Sequence, residues 1–212
     1  MIQRIYRILF LMFIAAGAVR LSAQTQSTDI GVWIVDSELE ESTEVEDGDE
    51  ITLDFDEEVG YGISINHFWT DRFSTELAMQ EFGGDMEISI DAGGGNLTFT
   101  AGELDATSIT AMGQLHFRRA TRFAPYLGAG LARVWGEFDP VDEVEPTDET
   151  VDLEAKTTWA AAAGANVRIT DNFYFVGEMK YIPWEAMAED DETEDRIDVN
   201  PVTFAAGVKF RF

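Results

Sequence analysis

Few residues of this 212-residue chain are of types that do chemistry, and none stands in a catalytic pattern. There is no cysteine, and His67 and His116 are the only histidines; we interpret both as lining or ending strands rather than binding metal. The run Gly93-Gly94-Gly95 is followed by neither a Lys-Ser/Thr pair nor a helix, which indicates a loop tip rather than a phosphate cradle. No nucleophile elbow, Walker loop or HExxH motif occurs. The sequence predicts a protein that is not an enzyme and that uses no cofactor or metal.

Carboxylates are the one abundant ionisable group. The chain has 41 Asp and Glu against 14 Lys and Arg, for a net charge of −27, which argues against nucleic acid as a partner because phosphates would be repelled. Of the 41 carboxylates, 34 lie in segments 37–58, 83–106, 136–155 and 183–199. Three interpretations stay open for these segments: a solvated surface, divalent cations held by clustered carboxylates, or a cationic partner at the cell surface. No calcium-loop spacing occurs in them.

A second set of polar and charged residues lies within the apolar segments, where these residues alternate with hydrophobic ones. An unpaired charge shielded from water is expensive, so we expect these residues to form an ion-paired network inside the protein. The alternative is that they reach water at a rim, where pairing contributes little. The network predicted from the sequence contains Glu76, Gln114, Arg168, Glu178, Lys180, Lys209 and Arg211.

The segments that position these residues alternate with period two. In the last thirteen residues, Val202, Phe204, Val208 and Phe212 fall on one face and Lys209 falls on the other. The alanine-rich stretch 156–169 also reads as a strand, because its large apolar residues share one parity and its glycine and asparagine would weaken a helix. Eight strands of roughly ten residues, enough to cross a bilayer, are predicted at Asp29–Asp36, Val59–Phe68, Phe73–Phe82, Thr107–Phe117, Phe123–Trp135, Lys156–Ile169, Phe173–Ile182 and Asn200–Phe212.

The connections between these strands alternate between long and short. In an up-and-down barrel this alternation places the four acidic connections at one rim. The arginines Arg72, Arg118, Arg119 and Arg122 fall in the short turns at the opposite rim. Charge is therefore expected at both ends of the barrel, with an uncharged band between them.

The N-terminus has the features of an export signal. Arg4 and Arg7 precede the apolar run from Ile8 to Val19, and small residues follow, so residues 1–23 are predicted to be a signal peptide and residues 24–212 the mature barrel. Removing Arg4, Arg7 and Arg20 with the signal changes the net charge from −27 to −30. Because no apolar run is long enough for a spanning helix, a membrane form must be a closed sheet.

A soluble eight-stranded barrel would show the same period, but its interior would be packed with large apolar side chains. Here one face carries most of the Phe, Leu, Ile and Val, and the other carries small, polar and charged residues. Aromatic residues near the strand ends fit two interfacial girdles. They include Phe68, Trp69, Phe73, Phe117, Phe123, Trp135, Trp159, Phe173, Tyr181, Trp184 and Phe212. The predicted fold is an all-β, eight-stranded antiparallel up-and-down transmembrane β-barrel in the outer membrane of a Gram-negative-type bacterium.

Two motifs carry a family resemblance. The stretch FAPYLGAGLA (Phe123 to Ala132) and the terminal AAGVKFRF resemble the OmpW family of small outer-membrane barrels, and the terminal Phe210 and Phe212 resemble the signal that the barrel-assembly machinery recognises. The resemblance implies a narrow barrel embedded in outer-membrane lipid that takes up small hydrophobic molecules passively and can release them sideways. The alternative is a non-transporting surface barrel that displays its acidic loops.

A pocket for an apolar solute is expected near the loop-side rim. Trp33, Met112 and Val134 are the candidates to line it, because all three fall on the inward parity of their strands.

Overall fold

The computed structural model describes residues 27–38, 42–46, 49–55, 59–91, 96–117, 122–141, 151–187, 196–198 and 200–212. Several sequence-based predictions lie outside these residues: the signal peptide at 1–23, the glycine run at 93–95, the arginines 118 and 119, and much of the acidic segments. Among the residues described, no helix has the length and apolar character needed to cross a membrane.

The described residues form twelve β-strands, which we number in chain order. Their bounds are β1 Ser27–Glu38, β2 Ser42–Glu46, β3 Asp49–Phe55, β4 Val59–Phe68, β5 Phe73–Asp91, β6 Asn96–His116, β7 Phe123–Pro140, β8 Val151–Arg168, β9 Phe173–Tyr181, β10 Glu185–Met187, β11 Arg196–Asp198 and β12 Val202–Arg211.

Eight of these strands close into a ring. The order β4-β1-β12-β9-β8-β7-β6-β5 is closed by pairing of β5 with β4, and every pair is antiparallel. The first and last strands lie side by side, with Asp29 opposite Arg211. The predicted eight-stranded antiparallel barrel is therefore confirmed, and so is the assignment of the alanine-rich stretch to a strand, β8.

The two faces of the barrel wall differ as the alternation predicts. Leu131 is 62% exposed and Leu127 is 56% exposed on the outer face, whereas Thr203 and Lys209 are buried on the inner face. An outer face of large apolar side chains is stable in lipid and unfavourable in water. The wall is therefore built to contact hydrocarbon outside and polar side chains inside.

The barrel continues beyond the predicted strand ends on the side of the long loops. Strands β5 and β6 have 19 and 21 residues, and β2 and β3 form a hairpin that joins the outer part of β5. Two bulges interrupt this extension, one between β5 and β6 near Met86 and one between β7 and β8 near Val134. Each bulge inserts one extra residue into one strand of the pair, which shifts the alternation along that strand by one position. Apolar residues beyond the bulge therefore still face the interior, although on that strand they have the opposite parity in the sequence.

Most predicted girdle residues lie on the outer face, including Trp69, Phe123 and Trp159, which are about half exposed. Two do not. Phe68 is 1% exposed and Trp184 is 0% exposed. The prediction was wrong for both: Phe68 has interior parity in β4, and Trp184, beyond the end of β9, keeps the interior parity of Glu178 and Lys180.

Candidate functional site: a barrel interior in two layers

The half of the interior nearer the short turns holds a buried ionic network. Lys209 Nζ lies 2.8 Å from Glu76 Oε2, and Lys180 Nζ lies 3.2 Å from Glu178 Oε1, with side-chain exposures of 5% or less in both pairs. Each buried carboxylate thus has a buried lysine as partner, which offsets the cost of removing both charges from water.

Neutral side chains complete the bonding of these ions. Gln114 donates to Glu76 over 2.9 Å and accepts from Asn66 over 2.8 Å, while Tyr126 donates to Glu178 over 2.6 Å. Lys180 donates to Gln80 over 3.0 Å. Hydrogen bonds to charged groups are among the stronger ones in proteins, so these contacts hold the ions in place. We call this set of residues the polar layer.

Trp33 lies against the polar layer. Its ring is 5.8 Å from Lys180 Nζ and 5.5 Å from Lys209 Nζ, so two ammonium groups contact the same indole. Gly62 and Gly207 make room for it, because a Cβ on either residue would overlap Trp33 atoms. These contacts hold the Trp33 ring in one position.

Arg211 lies at the turn-side end of the interior. It donates two hydrogen bonds of 2.7 Å to Asp29 and one of 2.6 Å to Tyr174. Its guanidinium also lies 5.0 Å from the ring of Phe68. Arg211 is therefore bonded, as predicted for the network, but to Asp29, which the sequence interpretation did not include.

Arg168 was wrongly placed in the network. It has interior parity, but it is the last residue of β8 and is exposed beside the short turn. Its backbone N–H donates to Arg122 O over 2.8 Å. The parity of a residue determines the face of the wall on which it lies. A residue at the rim, however, lies beyond the end of the interior even when it has interior parity.

The half of the interior nearer the long loops is apolar. We call this cluster the apolar layer, and it contains Phe82, Leu104, Ala106, Met112, Ala132, Val134, Ala160, Ala162, Ile182 and Trp184, with Phe138 and Leu153 packed against it. Met112 and Val134 lie here together. Trp33 lies instead in a second cluster with Val35, Ala78, Tyr126 and Val176. The three candidate pocket residues thus all face inward but do not form one group.

The segment after β9 supplies the most buried members of the apolar layer. Ile182 N–H donates to Pro201 O over 3.2 Å, and Trp184 N–H donates to Asn200 Oδ1 over 3.2 Å. Asn200 returns a bond to Trp184 O over 3.1 Å from a left-handed backbone with φ of 32°, a conformation that asparagine tolerates better than most residues. The Trp184 ring then meets Phe82 edge-on at 6.3 Å. Sequence interpretation ended the strand at Ile182 and placed Trp184 in the girdle, although Trp184 continues the interior parity of Glu178 and Lys180.

The remaining predicted residues are placed as follows. His116 is buried in the interior beside Ser74, with its Nε2 2.8 Å from the Ser74 hydroxyl. Phe212 is 54% exposed on the outer face and contacts Phe210, whose ring contacts Phe173 at 4.9 Å. Within the described ranges, no group of His, Cys, Asp or Glu has the geometry of a metal site.

Comparison with known proteins identifies the family. The model of the family "Outer membrane protein beta-barrel domain" matches residues 10–212. Among curated proteins, none matches the sequence significantly. The fold is similar to three solved structures: outer membrane protein AlkL (TM-score 0.58, 16% identity, 92% of this chain and 94% of that one), Neisserial surface protein A (0.57, 13%, 91% and 100%) and the attachment invasion locus protein Ail of Yersinia pestis (0.54, 14%, 89% and 100%).

At such identities the structural matches establish the fold alone. The family match spans nearly the whole chain, and it agrees with the closed ring of antiparallel strands and its apolar outer face. The chain therefore belongs to the outer membrane protein beta-barrel domain family and is a protein of the bacterial outer membrane.

Proposed function

We propose that this barrel takes up small apolar molecules by passive diffusion. The observation that carries the proposal is the apolar layer, in which ten buried apolar residues fill the loop-side half of the interior above a closed polar layer. Sites for small molecules are lined mostly by apolar side chains with few polar groups. An interior that served only to hold the wall together would need no such change of polarity along its length.

An apolar surface leads from outside the barrel to this layer. On the interior side of the β5–β6 extension, Leu97 is 70% exposed, Phe99 is 40% exposed and Met86 is 9% exposed. Ile88 is opposite Phe99, and Ile90 is opposite Leu97. Exposure thus falls steadily toward Phe82 and Leu104 of the apolar layer, which gives an apolar solute a continuous surface to follow.

The polar layer blocks a straight path to the turn-side rim, so the exit in our proposal is lateral. Pairing between β8 and β9 ends at Ala161 and Tyr181, whereas β8 continues to Val151 on the loop side. Beyond this point the side chains of Ile182 and Trp184 are fully buried on the interior side. Displacing Trp184 would therefore connect the apolar layer with the lipid between β8 and β9.

The test is uptake of a small fluorescent apolar probe into vesicles with a lipopolysaccharide outer leaflet, which by itself slows such solutes. We expect the wild type to exceed protein-free vesicles and Trp184→Ala to exceed the wild type. Trp69→Ala, which removes an exposed tryptophan at the turn-side end of the outer face, far from this exit, is the matched control and should equal the wild type. If wild type and Trp184→Ala both match protein-free vesicles, uptake is excluded.

A surface-interaction role is the second candidate, favoured by the acidic outer face of the extension. Asp85 is opposite Glu103, and Glu103 is opposite Asp139, so three carboxylates form a row across three strands. Divalent cations or a cationic partner would fit this face, and failure of the uptake test would leave this role as the function.

A further inference from the structure

We propose that the solute has an apolar body with one uncharged hydrogen-bonding group, and that Ser108 and Thr110 bind this group. The inference rests on the proposed uptake function and names the class of solute. It starts from the apolar layer, where two hydroxyl groups are buried without a hydrogen-bond partner among the described residues. An alcohol, a phenol or a ketone would fit, and a plain hydrocarbon would fit less well.

Ser108 and Thr110 lie two residues apart on the interior side of β6. Ser108 is 0% exposed and Thr110 is 1% exposed. Neither hydroxyl makes a hydrogen bond with any residue in the described part of the chain. Buried polar groups are rarely left unbonded, because each loses its bonds to water without replacement. Two such groups on one face of one strand indicate a site that a ligand completes.

The neighbours of these hydroxyls explain why they have no partner. Thr110 is opposite Ala78 on β5 and opposite Ala132 on β7, so only methyl groups flank it. Ser108 is opposite Gln80 and Val134. The Gln80 amide is directed toward two other residues, since it accepts from Lys180 over 3.0 Å and donates to Thr203 over 3.2 Å. The alanines also leave more space beside Thr110 than larger side chains would.

Trp184 adds a third unsatisfied donor to the same layer. Its Nε1 is buried without a hydrogen bond among the described residues, and its ring belongs to the cluster that contains Ala132 and Val134. An indole N–H only donates, whereas the hydroxyls of Ser108 and Thr110 donate and accept. The complementary group is therefore an oxygen that accepts hydrogen bonds, as in an alcohol, phenol or ketone.

The charge distribution favours a neutral solute. Beside the apolar layer, Lys156 lies opposite Val134 and already has an interaction partner of its own. Lys180 and Lys209 are paired with Glu178 and Glu76 in the polar layer. A carboxylate in the apolar layer would therefore lose its hydration without meeting a free cation, which is strongly unfavourable. The site thus distinguishes a neutral oxygen group both from a hydrocarbon and from an ionised acid.

The test compares 2-naphthol with 2-methylnaphthalene, which have nearly the same shape and differ by a hydroxyl in place of a methyl group. Binding is measured to the mature barrel in lipid nanodiscs, with empty nanodiscs correcting for partition into lipid. We expect the wild type to bind 2-naphthol about threefold to tenfold more tightly than 2-methylnaphthalene, the effect of one added hydrogen bond. The double variant Ser108→Ala/Thr110→Val should lose this preference while still binding 2-methylnaphthalene.

Thr107→Val is the matched control, since Thr107 is next to Ser108 on β6 but has the opposite parity; it should keep the preference. Equal binding of the two probes by the wild type would overturn the inference and leave uptake of apolar molecules standing. Absence of binding for both probes would count against the proposed function itself. If the double variant does not fold, the comparison of the two probes on the wild type still decides whether the barrel prefers a solute with a hydroxyl group. The single variant Thr110→Val then tests whether the Thr110 hydroxyl binds that group.

Discussion

Lys209 and Glu76 are 133 residues apart in the chain, and their side chains form a buried ion pair of 2.8 Å across the barrel interior. Glu76 lies on β5 and Lys209 on β12, two strands that are not neighbours in the ring. The pair therefore links opposite parts of the wall. Together with Glu178 and Lys180, it forms the ionic part of the polar layer.

Breaking this pair should destabilise the barrel strongly. Glu76→Gln leaves the Lys209 ammonium buried without its counter-charge, for which we expect a loss of about 3–5 kcal/mol in the free energy of unfolding. Urea unfolding of the barrel in lipid vesicles measures this loss. The double variant Glu76→Met/Lys209→Met should recover most of the stability, because it removes both charges. Glu137→Gln, at an exposed carboxylate, is the control and should change stability by about 0.5 kcal/mol or less. A small effect of Glu76→Gln would contradict the role given to the pair.

The position of Trp33 depends on glycine at residue 62. A Cβ there would overlap Nε1 of the Trp33 ring, so Gly62→Ala should reduce stability by about 1–3 kcal/mol. Gly177→Ala is the matched control, because nothing lies within 4 Å of the added methyl group. Replacing Trp33 by Leu in the Gly62→Ala background should restore part of the loss. Equal effects of the two glycine substitutions in urea unfolding would show that the ring does not require the space.

The long connections should all be accessible on the cell surface. The chain has no cysteine, so single cysteines can be introduced and labelled with an impermeant maleimide. We expect labelling on intact cells at positions 48, 94, 142 and 191, and no labelling at Asp171 in the turn between β8 and β9 until the outer membrane is opened. A cysteine at 94 that is protected while one at 142 is labelled would contradict this topology.

The terminal phenylalanine should matter more for assembly than for the finished wall. Phe212 is half exposed, and its backbone N–H donates to Thr28 O over 3.0 Å, so its ring contributes little to the barrel interior. If Phe212 is part of an assembly signal, deleting it should lower the amount of inserted barrel severalfold, whereas Thr203→Ala, inside the barrel, should not. Heat-dependent gel mobility of membrane fractions measures insertion. Normal insertion of the deletion variant would remove the evidence for the signal.

Local alternation determined much of this protein. Because side chains on a strand alternate strictly between two faces, the sequence was sufficient to predict eight strands, an apolar outer face and the inward position of Glu76, Gln114, Glu178 and Lys209. Closure into a ring follows from the same pattern, since a sheet in lipid cannot leave its edges unbonded.

The tertiary structure decided which interior residues lie at the same height along the barrel axis and which of them are in contact. Parity assigned Trp33 and Val134 to the interior, but strand tilt and register placed them in different clusters. The same parity placed Arg168 inside, although it extends past the rim, and gave no indication that Asp29 would meet Arg211. The bulges near Met86 and Val134 break the alternation itself. Each depends on contacts between residues distant in sequence, which a period read along one strand does not contain.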